Sequence, residues 1–213
     1  MSFQGNSTSP RRDITSELLW TLCHKVRLVT TQQIAAHFYA TAPNPCRRAT
    51  SLCRKLARAG LIEKHCCSLA SINVEKPLYS WEPSNGSRPD FDRLDYQNAC
   101  RWQSAPKPET TIMATNRARA LFGGFPRKVR HNELEHDVAL TGVYLRLAAR
   151  APSVAQTFQL EDSISPQLFS GRRPDAILPG PPLSVIDVIG RGYDAKKLQG
   201  IWMAFREFPI YFC

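Results

Sequence analysis

The sequence predicts an α+β protein in two parts, a module of three short helices closed by a β-hairpin and, after it, a small α/β domain. Three observations carry this expectation. Apolar residues recur at helical spacing between Ile14 and Ala59, short β-rich segments and helices alternate after Leu134, and the stretch between these regions gathers Pro, Ser, Asn and Asp with little periodicity. The expected boundaries are a basic arm over 1–12, the helical module over 13–82, a linker over 83–109 and the α/β domain over 110–213.

Met1 to Arg12 is rich in Ser, Asn, Gly and Pro and holds two arginines, a composition that predicts a mobile basic arm. From Asp13 the pattern changes. Ile14, Leu18, Leu19, Leu22 and Val26 follow helical spacing, with Asp13 or Thr15 placed to cap. A second short helix is expected from Thr30-Thr31 through Phe38, because a Thr satisfies free amides and Ile34 and Phe38 lie one turn apart. Pro43-Asn44-Pro45 breaks the chain. Cys46 to Ala59 then sets Ala49, Leu52, Cys53 and Leu56 on one face and Arg47, Arg48, Arg54, Lys55 and Arg58 elsewhere, with Gly60 ending the helix.

Leu61-Ile62-Glu63-Lys64 and Pro77-Leu78-Tyr79-Ser80-Trp81 are strand-like and flank a polar stretch, which predicts a hairpin directly after the third helix. Three helices and a hairpin in this order make a winged helix. The text Thr30-Thr31-Gln32-Gln33-Ile34-Ala35, then Arg47-Arg48 to Leu52, Leu56 and Ala59-Gly60-Leu61-Ile62, also resembles winged-helix proteins at large.

The charge balance names a partner for such a module. Lys and Arg number 28 against 18 Asp and Glu, a net +10, which favours a polyanion, nucleic acid ahead of an anionic membrane surface. Residues 1–82 hold eleven basic and five acidic side chains. An amphipathic helix with Arg and Lys outward fits the major groove of duplex DNA. Arg47, Thr50, Ser51 and Arg54 are the expected groove contacts, Arg48 and Lys55 the expected phosphate contacts, and Lys64 and Lys76 would touch backbone from the wing. The bland reading of the same face is a solvated surface on a protein-interaction module.

No stretch approaches the roughly 18 apolar residues of a membrane helix, and the first residues lack the apolar core of a secretion signal, so a soluble, cytoplasmic protein is expected. Seven cysteines without a repeated short spacing read as reduced thiols. His65-Cys66-Cys67 with Cys46 or Cys53 could in principle surround zinc, but adjacent cysteines rarely both reach one tetrahedral centre.

In the second part, Leu134 to Arg150 is strongly helical and stopped by Pro152; strands are expected at Val154–Leu160, Pro174–Leu178 and Leu183–Val188, a helix at Tyr193–Arg206, and a last apolar segment at Pro209–Phe212. Pro174-Asp175 and Ile186-Asp187 place two acids twelve residues apart on neighbouring expected strands, which can bring both carboxylates to one sheet edge. Two such acids can bind Mg²⁺, which activates water and offsets phosphate charge, while a nearby Lys stabilises the transition state. Pro-Asp is also a common turn, Lys196-Lys197 an ordinary wet helix face, and His136 an ordinary hydrogen-bonded histidine.

The acidic pair resembles the PD-(D/E)XK nuclease superfamily. That resemblance implies a catalytic set of Asp175, Asp187 and a Lys, with Glu133 or Glu135 as a further acid and Mg²⁺ as the ion; nothing else in the sequence demands a cofactor. Ile189 stands where the motif places its Lys, so Lys196 or Lys197 on the following helix would have to serve. Over nearly the whole chain the order also resembles the replication-relaxation family of plasmid and mobile-element proteins. Matching stretches are His136-Asp137-Val138-Ala139-Leu140-Thr141 through Leu147, Pro174-Asp175-Ala176, and Ile186-Asp187 through Lys197. The resemblance implies a duplex-DNA-binding protein acting in replication, mobilisation or its control, with a degenerate nuclease-like domain. Two other readings stay open: an endonuclease directed by its winged helix, and an adaptor in a nucleoprotein complex with RNA or protein as partner.

Overall fold

A computed structural model describes residues 13–70, 72–124, 129, 133–165, 167–169 and 171–213. The expected basic arm over 1–12 lies outside them. The protein is α+β, with eight α-helices and two sheets among the described residues, and no described helix is long and apolar enough to cross a membrane.

The N-terminal helices form for the local reasons visible in the sequence. In α1 (Ile14–His24) the Asp13 carboxylate accepts from the Thr15 and Ser16 amides. After the short β1 (Val29–Thr30), α2 (Thr31–Phe38) opens with a reciprocal cap: the Gln33 amide donates to the Thr30 hydroxyl, and the Thr30 amide to the Gln33 side chain. Helix α3 (Pro45–Arg58) starts with Pro45 in its first turn, where the missing N–H costs nothing. It ends in a Schellman turn: Gly60 takes φ +67°, its amide donates to Ala57 O and the Leu61 amide to Leu56 O.

The wing is where sequence and structure part. Strand β2 (Ile62–Leu69) does not pair with β3 (Tyr79–Trp81). It pairs antiparallel with β4 (Lys107–Ala114) in register Ile62↔Ala114 to Leu69↔Lys107, and β1 adds to the other side of β4. Strand β3 instead joins the edge of the second sheet beside β8 (Ile210–Phe212), where Trp81 is buried edge-on against Trp202 at 5.3 Å between ring centroids. A large aromatic gains more by entering that core than by closing an exposed hairpin.

The expected linker over 83–109 is likewise corrected. It contains α4 (Phe91–Arg101), capped by Asp90 accepting from the Arg93 amide, and the first residues of β4. Phe91, Leu94, Asn98 and Trp102 lie on one buried face at helical spacing, a stripe obscured by the polar residues around it. The α/β part therefore does not begin at 110: β4 and α5 (Asn116–Phe122) pack with the N-terminal helices, and the chain between β2 and β4 contributes β3 to the second sheet and α4 beside it.

Helix α6 (Leu134–Arg150) matches its expected limits. The strand expected over Val154–Leu160 is mostly α7 (Pro152–Thr157), since Pro152 starts a helix as readily as it ends one; only β5 (Gln159–Leu160) remains extended. The second sheet runs β3-β8-β7-β6-β5, with β6 (Ala176–Leu178), β7 (Ser184–Asp187) and β8 near their expected places, and β7/β8 its parallel pair.

Strand alternation divides the core. Ala176, Ile186 and Val188 join α6 and the N-terminal helices in one cluster, while Ile177, Val185, Ile189, Ile210 and Phe212 join α4 and α8 (Ala195–Phe205) in another. Polar bonds bind the N-terminal helices to the rest. Gln33 donates to Val138 O, Thr141 to Leu28 O, and the Lys25 ammonium to Phe158 O.

Candidate functional site

Two surfaces gather the chemistry-bearing residues. The first is the outer face of α3. Apolar Ala49, Leu52, Cys53 and Leu56 turn inward, so Arg47, Arg48, Thr50, Ser51, Arg54, Lys55 and Arg58 all stand exposed. Arg47, Ser51, Arg54 and Arg58 form the central stripe, while Arg48 and Lys55 flank it one residue on. Arg48 is drawn toward the helix start by donating from Nε to Pro43 O at 3.2 Å, and Thr50 donates its hydroxyl to Cys46 O at 2.8 Å. Among the described residues none of these cations is ion-paired with an acid. Cys46, Arg47, Thr50, Ser51 and Arg54 line a shallow depression of about 400 Å³.

Lys64 is exposed on β2, close enough to α3 to act on Cys53, whose thiol burial pushes up to about 11 against that pull. Lys76, expected on a wing, lies instead before β3 in a groove with Tyr96 and Arg101. The seven thiols are unbridged, and Cys23, Cys53 and Cys213 are buried.

The second surface is a cleft of about 420 Å³ where the start of α6, the residues before β6 and the segment between β7 and α8 converge. Asp175 and Asp187 lie one step beyond the Ala176↔Ile186 pair, so the antiparallel register sets them opposite each other on the face of Ile177 and Val185. Asp175 lines the cleft with His136, Glu133, Glu135, Tyr193 and Lys197; Asp187 does not, and is only 3% exposed.

His136 Nε2 meets Asp175 Oδ2 at 2.9 Å, and that same oxygen accepts from the Val188 amide at 2.7 Å. Burial pulls the imidazole toward neutrality, but the charge and hydrogen bond of Asp175 outweigh it and hold His136 at about 9. It is therefore an imidazolium at neutral pH. Burial, then the neighbouring Asp175 charge, push the Asp187 carboxyl well above the usual range.

The Lys197 ammonium sits 3.4 Å from the centroid of the Tyr193 ring, whose own ring edge packs on Gly190. Burial and then the Asp175 charge raise the Tyr193 phenol, so it is a poor nucleophile. Lys196 is exposed on α8 and does not line the cleft. Glu135 accepts from the Ala70 amide at 2.7 Å and lies 3.6 Å from Arg191.

These residues fit a divalent ion poorly. Asp175 already engages Oδ2 with His136 and the Val188 amide, Asp187 is buried and does not line the cleft, and among the described residues no three His, Cys, Asp or Glu side chains converge as ligands.

Sequence reasoning missed the network beside the cleft. Arg27, 5% exposed at its side chain, bonds Asp137 at 2.9 Å and both Glu161 and Asp162 at 3.0 Å. A charged residue inside the apolar run Val26-Arg27-Leu28-Val29 was its available signal. Asn98 of α4 and Trp102 at its C-terminal cap brace the segment after β7, Trp102 donating to Ile189 O and Asn98 to Gly190 O. Compared with protein-family models, curated proteins and solved structures, the chain matches none of them.

Proposed function

We propose that this chain is a duplex-DNA-binding protein of a mobile element, in which α1–α3 with the β2/β4 ladder act as a winged helix and the second sheet with its helices is a nuclease-like fold kept as a scaffold. One observation carries the reading. The α3 face holds five exposed cations with no acid paired to them among the described residues, on a helix whose apolar side is fully engaged. Such a face attracts phosphate and fits a groove. The geometry of the acidic pair supports an inert scaffold, since His136 and the Val188 amide both engage Asp175 Oδ2 and Asp187 is buried outside the cleft. The resemblance of the His136-Asp137, Pro174-Asp175-Ala176 and Ile186-Asp187 stretches to replication-relaxation proteins supplies the mobile-element context.

The test is fluorescence anisotropy of the full chain on a labelled duplex across a salt series. Binding should weaken steeply with salt, and Arg47→Ala with Arg54→Ala should weaken it at least about tenfold. Unchanged affinity of that folded double variant, or preference for RNA, would sink the reading. A second reading, a metal-dependent endonuclease, is favoured by the opposed register of Asp175 and Asp187 and by Lys197, which lines the same cleft as Asp175.

A further inference from the structure

We propose that the cavity between α6, α7 and the second sheet binds a medium-chain carboxylate, its head paired with Arg146 and its hydrocarbon tail laid along apolar walls. The cavity follows from how α6 crosses the sheet. Arg146 and Leu147 of α6 line it opposite Leu178 and Tyr211, which strand alternation and register put on one side of the sheet. Leu147, Leu178 and Tyr211 are only partly buried, and Val154 of α7, which lines the same space, is 40% exposed. The apolar core is thus unfilled at this end, leaving a cavity of about 300 Å³.

Among the described residues Arg146 is the only charged side chain lining this cavity. Its Nη1 is buried with no hydrogen-bond partner among them, and no carboxylate lies within ion-pair distance. Arg27, by contrast, meets three acids. A buried guanidinium N–H without an acceptor costs free energy that an anion recovers. The Cys213 thiol beside it cannot supply the charge: burial pushes that thiol up to about 11 in spite of its hydrogen bond with Arg146, so it stays neutral. Arg101 acts on the same thiol, and its Nη1 too is buried without an acceptor; Asp187 also acts there but is paired with neither arginine. Two guanidiniums therefore converge on a neutral group, and the polar end of the cavity is positive. A carboxylate matches the guanidinium fork with two parallel bonds. The apolar walls require a tail, since a compact hydrated anion such as phosphate would lose its water against them. At about 30 Å³ for each water-sized group, the space holds roughly ten of them, the size of a medium-length hydrocarbon chain.

The experiment is isothermal calorimetry of the full chain with decanoate, decanol and acetate, each below any micellar range. One decanoate should bind per chain, at least about 10-fold more tightly than decanol, which lacks the charge, or acetate, which lacks the tail. Arg146→Met should weaken decanoate about 10-fold and leave decanol unchanged, whereas Val154→Trp, which fills the cavity from its exposed side, should weaken both. Circular dichroism checks that each variant is folded; should Arg146→Met unfold, Arg146→Lys keeps the charge without the fork and should still weaken decanoate selectively. No binding of decanoate, equal affinity for decanoate and decanol, several decanoates per chain, or a decanoate affinity that the folded Arg146 variant leaves unchanged would each overturn the proposal.

Discussion

Replacing Arg27 by Met tests the buried ion-pair network that joins it to Asp137, Glu161 and Asp162. The side chain is 5% exposed and its partner Asp137 2%, so removing the guanidinium leaves a carboxylate in a site that water scarcely reaches. Glu161 and Asp162 retain 27% and 32% side-chain exposure and can rehydrate, so the cost centres on Asp137. Stranding one member of a buried ion pair costs about 3–5 kcal/mol. At about 2–4 °C per kcal/mol for a chain of this size, the melting temperature should fall by about 6–20 °C. Urea unfolding followed by circular dichroism and tryptophan fluorescence reads the change. The double variant Arg27→Met/Asp137→Leu removes both charges and should recover at least half the loss. A single variant within about 1 kcal/mol of the native protein, or a double variant no better than the single, would refute the reasoning.

Other outcomes follow from the same geometry. His136 is raised from its ordinary 6.5 to about 9 in the folded protein, so its ion pair with Asp175 contributes stability in full below about pH 6.5 and loses it as pH rises through about 9. Urea midpoints from pH 6 to 10 should decline for the native protein and flatten for His136→Gln. Limited proteolysis should spare Phe91–Arg101, because α4 is packed on α8 and braces the chain after β7; first cleavage within it would contradict that packing. Supercoiled plasmid should stay intact with Mg²⁺ or Mn²⁺, and robust cleavage abolished by Asp175→Ala, Asp187→Ala and Lys197→Ala alike would establish the endonuclease instead. Lys55→Ala, if it removes a phosphate contact, should reduce the salt slope of DNA binding by about one.

What was legible in the sequence was local. The Asp13 cap, the Thr cap before the second helix and the Gly60 turn act within a few residues, and they define α1 to α3 almost to the residue, while the part Gln33 plays in the second cap was not read. Partners far along the chain were not legible. Strand β2 finds β4 rather than β3, and no periodicity encodes which of two later strands will pair. Helix α4 was hidden because its apolar stripe is sparse, and β5 was overextended because Val154 and Phe158 carry strand preference inside a proline-started turn. At the cleft the opposition of Asp175 and Asp187 was readable from spacing. The identity of Asp175's partner was not, since His136 comes from a helix 39 residues earlier and only packing brings it there.

The pairing of β2 with β4 also sets an order on synthesis. As the chain emerges from the ribosome, the three amino-terminal helices can condense early, yet β2 keeps an unsatisfied edge until residue 114 is out, after the whole excursion through β3 and α4. Meanwhile β3 waits far longer, because its neighbour β8 is among the last segments made. A nascent chain thus carries two open edges at once, and one ladder must close before the other has a partner to meet. Stalled intermediates between these two closures are where strand-mediated aggregation would begin.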